Sequence, residues 1–342
     1  MPQPATAPRT RRPPWGRLAA GGAAVGVAVL LSLALGARSI PPDDVLRALF
    51  ASGGDAHTPA AEVVRELRLP RTVIGLMVGA ALGIAGVVMQ GLTRNPIAEP
   101  GILGVSQGAA VAVVLGIAFA DAHALTEYVW FAFAGAGAAA VGVYAVAARG
   151  RGGATPVKLA LAGAAVNALL ASVVAGVLTT RGAALDEFRF WQVGSLTGRD
   201  AEVAARIWPF LLAGLLLVAA AARGMDALAL GDDVARGLGQ NVALVRITGG
   251  LGAAVLTGAG VAATGPIAFV GLAVPHLARA LVGGAHRWLL PMAALLGPVV
   301  LLVSDVVGRL LFPPSEVPAG VMTALVGVPF LVVLVRRSAV SA

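Results

Sequence analysis

Cysteine is absent from the 342-residue chain. That excludes a disulfide framework and any thiolate metal site, and it says nothing of the redox compartment. Lysine occurs once, as Lys158 in TPVKLAL, so no G-x-x-x-x-G-K-S/T phosphate loop can be present. If nucleotide hydrolysis drives this protein, it happens on another chain. The four histidines and the acids show no metal-ligand spacing, and no paired acid and base suggests an intramembrane enzyme. Charge is also scarce: 12% of residues are Asp, Glu, Lys or Arg, where a soluble domain carries about 25%. No segment is long enough to form a soluble domain of its own. The pI is near 11.3, yet the arginines are scattered between apolar runs rather than clustered, which argues against nucleic acid and for topology-setting charge.

What is abundant is apolar length. Hydrophobic residues make up 58% of the chain, and mean hydropathy is +0.87. Uncharged runs lie at 18–36, 72–93, 100–120, 128–148, 159–180, 207–222, 288–304 and 317–335, most of them near the roughly 20 residues that cross a bilayer. Between Arg246 and Arg279 one stretch is too long for a single crossing, and Gly265-Pro266 in ATGPIAFVG divides it in two. The expectation is an all-α polytopic membrane protein of about ten transmembrane helices. With both termini inside, inner segments hold 15 Lys/Arg and 4 Asp/Glu, and outer segments hold 10 and 13. The positive-inside rule therefore places both termini in the cytoplasm. The amino end, RTRRPPWGRLAAGGAAVGVAVLLSLALGARS, is like an export signal, but the length of its apolar run reads as a retained first span. The layout is a tail at 1–17, one membrane domain at 18–337 with outer segments near 37–71 and 181–206, and a tail at 338–342.

Local patterns add detail. Gly75, Gly79 and Gly83 recur at i+4, which reads as close helix packing in lipid. The prolines and aspartates of PPDDVLRAL suit the start of a short outer helix. A knot of helix breakers, LTRNPIAEPGILG, follows the second span. Pro96 and Pro100 end helices, Asn95 and Glu99 can satisfy freed backbone groups, and Gly101 and Gly104 permit close approach. Irregular backbone at membrane depth is tolerated only against protein or a water-filled cavity, so the knot reads as a pathway-lining or gate segment. Asp305 stands four residues before Arg309 and reads as its orienting partner. His276 reads as a backbone-bonded or interfacial histidine. Gln90 and Asn167 either line a pathway or bond helix to helix. There is no clear internal repeat and no midplane carboxylate, as an ion-coupled secondary transporter would favour.

RLPR at 68–71, GAALGIAGVVMQGLTRNPIAEPGILGVSQGAA from 79, LALGDDVARGLG from 228, GPIAFVGLAVPHLAR from 265 and DVVGRL from 305 together resemble the FecCD-type permeases of binding-protein-dependent ABC importers. The resemblance runs in register from about residue 18 to the C-terminus and implies ten helices per subunit. It implies that Arg68, Arg71 and Arg309 are exposed guanidiniums docking an extracytoplasmic binding protein. It makes Asn95, Pro96, Glu99 and Pro100 an inner gate. It makes 226–239, with Leu230, Gly231, Ala235, Leu238 and Gly239, a pair of coupling helices for an ATPase. Trp191, in EFRFWQVGSLTGRD, is implied as a substrate contact. The implied assembly pairs this chain with a second permease subunit, identical or paralogous, and two ABC ATPase subunits that bind ATP and magnesium. It lies in the bacterial plasma membrane, and this chain holds no metal or cofactor. The cargo is a bulky metal chelate, first a ferric siderophore, then haem, then cobalamin.

Overall fold

The computed structural model describes residues 13–36, 39–50, 58–120, 122, 125–149 and 155–340. Most of the expected N-terminal tail (1–12) and the last two residues lie outside that set, as do Arg9, Arg11, Arg12, Arg38 and Arg151 of the charge count. Thirteen helices are described: α1 (Trp15–Ala34), α2 (Pro42–Phe50), α3 (Pro59–Thr93), α4 (Val105–Phe119), α5 (Leu125–Ala148), α6 (Pro156–Thr180), α7 (Gly182–Gln192), α8 (Ala201–Leu228), α9 (Asp232–Gly237), α10 (Val242–Thr264), α11 (Val270–Val282), α12 (His286–Leu311) and α13 (Ala319–Val340). Seven of them, α1, α3, α5, α6, α8, α10 and α12, are long and apolar enough to cross a membrane. Three shorter apolar helices, α4, α11 and the Ala319–Pro329 part of α13, bring the number to ten. The fold is all-α and polytopic, as the uncharged runs suggested.

Helix starts follow local chemistry. Thr155, Asp200 and Asn241 each accept a hydrogen bond from a first-turn N–H, at 3.4, 3.0 and 3.0 Å, and so cap α6, α8 and α10. The carboxylates of Asp43 and Asp44 lie in the first turn of α2, where they meet the positive end of the helix dipole.

Two of the ten are too short to span alone. At 15 and 13 residues, α4 and α11 rise about 22 and 20 Å, against a hydrocarbon core of roughly 30 Å. Irregular segments make up the difference. The uncharged run from residue 100 opens as a 3-10 turn, Pro100–Leu103, and α4 begins only after Gly104 turns left-handed (φ 76°). Likewise α10 ends at Gly265 (φ 74°), and α11 starts five residues later, after Phe269. The division at Gly265-Pro266 falls where the breakers stand.

At the centre is α3, packed by α12, α10, α11 and α8. Its glycine stripe faces α12. A methyl group on Gly75 would strike Leu302, one on Gly79 would sit 2.6 Å from the backbone nitrogen of Pro298, and one on Gly83 would sit 2.7 Å from the Ala293 carbonyl. Lipid tails are as apolar as side chains, so helices associate through such close backbone fit rather than through a hydrophobic drive. Gly79→Ala should therefore lower the thermal unfolding midpoint of the detergent-purified protein sharply. Gly142→Ala, which meets nothing within 4 Å, should leave it unchanged or slightly raised.

Candidate translocation site

The knot after α3 is re-entrant. Arg94 adopts the left-handed conformation (φ 50°) that stops α3. Asn95 Oδ1 accepts from Ile97 N at 3.1 Å, and Ala98 N donates to the Asn95 carbonyl, so one asparagine closes the turn. Asn95 and Pro96 are exposed, Glu99 is half-buried and Pro100 is buried. The chain then climbs inward. Asn167 Nδ2, near the middle of α6, donates to the Gly101 carbonyl at 3.2 Å. Pro100 lies against Gly271 at the start of α11.

Between this segment, α6, α10 and the 266–269 loop lies a cavity of about 400 Å³. Its polar lining comes from Glu99, Ser106, Gln107, Asn167 and Thr257, with Ile102 and Phe269 among its apolar walls. Asn167 Oδ1 is buried with no hydrogen-bond partner among the described residues. Residues from the first turns of both half-length helices, Ser106 and Gln107 of α4 and Gly271 of α11, line the cavity. First-turn N–H groups lack intrahelical acceptors and carry partial positive charge. Discontinuous helices that present such ends at mid-membrane are a recurrent way to bind anionic groups.

Of the two readings for Gln90, the structure shows the helix-to-helix bond, and Trp191 stands in the core. Gln90 is buried and joins α3 to α11: its Nε2 donates to the Leu272 carbonyl at 3.3 Å, and its Oε1 accepts from Arg279. Trp191 is 3% exposed and stacks against Phe188 at 5.8 Å between ring centres, so it belongs to the core and not to a pathway wall. His276 Nδ1 bonds the Leu272 carbonyl at 3.0 Å.

At the outer end the arginines are not exposed, and that expectation is corrected too. Arg68, Arg71 and Arg309 are 6%, 9% and 2% exposed. Arg71 grips Asp305 through Nη2 (2.7 Å) and Nε (3.0 Å), and its Nη1 reaches Glu316 at 2.8 Å. Arg309 Nη2 approaches Asp305 Oδ2, which it shares with Arg71 Nε, at 3.2 Å, and its Nη1 donates to the Ser32 and Leu35 carbonyls. Arg68 donates to the Leu33 carbonyl at 2.7 Å. Cations thus cover the last carbonyls of α1, which carry the negative end of its dipole. The cluster locks the outer ends of α1, α3 and α12. Asp305 orients Arg309 as expected from their spacing, but its closer partner, Arg71, comes from 234 residues away. Glu316 lies outside the helices. Burial would raise its carboxyl, yet hydrogen bonds from Arg71 and Thr197 hold it below the ordinary range.

The inner end carries a second network that sequence reading missed. Asp232, in the first turn of α9, pairs with Arg94 of the knot and with Arg246 of α10 at 2.9 Å. Asp226, near the end of α8, accepts from the backbone N–H of His286 at 2.9 Å and meets its ring Nδ1 at 2.6 Å, which caps the start of α12. Segment 226–239 is therefore tied to three other elements. Leu230, Val234 and Leu238 stand 65%, 49% and 61% exposed at i+4 intervals, an apolar ridge at the inner surface. Gly231 (φ 115°) and Gly239 (φ 79°) bracket it in conformations that disfavour side chains. Ala235 is 0% exposed, so it packs inward and is corrected as a contact for a partner. The i+4 ridge could have been found in the sequence; the Arg94–Asp232 pair spans 138 residues and could not.

An all-α polytopic subunit with re-entrant segments and an inner coupling ridge has the features of a transporter permease. The family model described as the FecCD transport family matches residues 24–337, and the chain belongs to that family. It is the permease subunit of an ABC importer in the bacterial inner membrane. It is 42% identical over 315 residues to the ferric enterobactin transport system permease protein FepD of Escherichia coli K12, covering 91% of this chain and 92% of FepD. It is 40% identical over 280 residues to the hemin transport system permease protein HmuU of Yersinia pestis, covering 80% and 82%. A solved metal-chelate-type ABC transporter in an inward-facing conformation superposes with a TM-score of 0.78 at 29% identity, over 94% of this chain and 99% of that one.

The outer cluster gives a stability prediction. Asp305→Ala leaves two buried arginines without their carboxylate and should cost about 3–5 kcal/mol. Glu316→Gln, at a partly exposed position, should cost about 1 kcal/mol. Denaturant titration of the purified protein reads both.

Proposed function

We propose that this chain is one of two permease subunits around a central path, carrying a ferric siderophore that an extracytoplasmic binding protein delivers. Two separate ABC ATPase subunits, which bind ATP and magnesium, seat on the Leu230–Val234–Leu238 ridge. Among the seven long spans α6 is the least covered by the rest of the chain, at 17%. That supports a facing partner subunit beside the cavity.

The observation that carries the reading is the Arg94–Asp232 pair. It joins the coupling segment to the knot that borders the cavity, so movement of α9 by a nucleotide-driven partner reaches the gate through one ion pair. Asn95 and Pro96 form the exposed side of that gate, and Glu99 and Pro100 form its cavity side. The N-termini of α4 and α11 suit a cargo with anionic groups, as ferric chelates have. Arg68, Arg71 and Arg309 serve the docking of a binding protein by fixing the outer ends of three helices rather than by direct contact. A haem cargo is the second reading, favoured by the 40% identity to a hemin permease.

The test is reconstitution in proteoliposomes with the ATPase and binding protein. ATP should drive uptake of the ferric siderophore, and excess haem should not compete. Competition by haem moves the cargo to the second reading, and uptake driven by an ion gradient without ATP overturns the importer mechanism. Asp232→Asn should keep ATP hydrolysis but cut uptake by about tenfold, the equivalent of one charge-assisted pair.

A further inference from the structure

Away from the cavity, α5, α8 and α10 enclose a groove of about 690 Å³ that no step of transport uses. Its walls are almost wholly apolar, with Trp130, Phe133, Phe210 and Leu251 among them. Val141, Leu251 and Trp130, at 68%, 49% and 53% exposure, leave it open sideways. From Trp130 to Tyr144, both lining residues on α5, the helix rises about 21 Å, more than the roughly 15 Å half-thickness of the hydrocarbon core. One acyl chain fits lengthwise. Two glycines keep the space clear: a methyl group on Gly137 or Gly250 would meet nothing within 4 Å.

The inner end of the groove is not apolar. Arg246 lines it, with Nη2 engaged by Asp232 and Nε buried without a partner among the described residues. Asp232 is shared with Arg94, and Arg236 answers to Asp233. Arg246 is the one charged side chain that the groove's lining includes among the described residues, and its partner Asp232 is shared with Arg94 and Arg236. Leu159, in the first turn of α6, also lines the groove, and its neighbour Lys158 donates to the Arg149 carbonyl.

We propose that this groove binds an anionic phospholipid of the cytoplasmic leaflet, one acyl chain along α5 and the phosphate at Arg246. Charge complementarity selects the headgroup, and the groove's length and lateral opening select the chain. The site also sits on the arginine that braces the coupling helix through Asp232, so an occupied headgroup would compete for or reinforce that pair.

The delipidated intact transporter in mild detergent, titrated with dioleoylphosphatidylglycerol or dioleoylphosphatidylcholine and read by native mass spectrometry, tests this. The wild type should prefer phosphatidylglycerol by about fivefold, the scale of one basic group at an anionic surface. Arg246→Gln should abolish that preference. The double variant Gly137→Leu, Gly250→Leu should fill the groove and remove one bound phosphatidylglycerol while its unfolding midpoint stays at or above wild type. Equal binding of the two lipids, a preference that survives Arg246→Gln, or unchanged stoichiometry in the filled variant would each overturn the proposal. Because the chain has no native cysteine, Val141→Cys introduces a unique thiol. A disulfide-linked permease pair through it would show the groove to be a subunit contact instead, which also overturns the lipid assignment.

Discussion

Close backbone contact between α3 and α12 is the constraint on which this structure depends. Neither helix gains from burying apolar surface when the alternative is lipid. Association must come from fit, and the glycines at 75, 79 and 83 let the two backbones meet against Leu302, Pro298 and Ala293. That contact sets the depth at which Arg71 faces Asp305. A carboxylate with no exposure inside a membrane protein is tolerable only because two guanidiniums approach it. The packing and the charge cluster thus require each other: a shift of α3 along α12 would leave Asp305 unpaired.

The cluster at Asp305 joins α1, α3 and α12 at one end of the bundle, and a second set of ion pairs ties elements at the other end. Asp232 connects the coupling segment to the knot and to α10, and Asp226 connects it to the start of α12. Such links transmit displacement and still rearrange, which a glycine-packed interface cannot do without clash.

Arg68, Arg71, Arg309 and Trp191 drew exposed or pathway roles from the family resemblance, which carries no burial. Each meets another element of its own chain: α1 carbonyls for Arg68 and Arg309, Asp305 for Arg71, and the turn at Gly265 for Trp191. Asn167 lines the cavity and bonds the Gly101 carbonyl.

Spans, breakers and caps were legible in the sequence because they depend on neighbours within a turn or two: apolar length, Pro and Gly, the capping side chains at 155, 200 and 241. Only the tertiary structure decided which arginines are buried, where Asp232 finds its partners, and that the first turns of α4 and α11 line one cavity. The deciding contacts join distant positions, 234 apart for Arg71 and Asp305 and 138 apart for Arg94 and Asp232, and a linear pattern carries no distance of that kind.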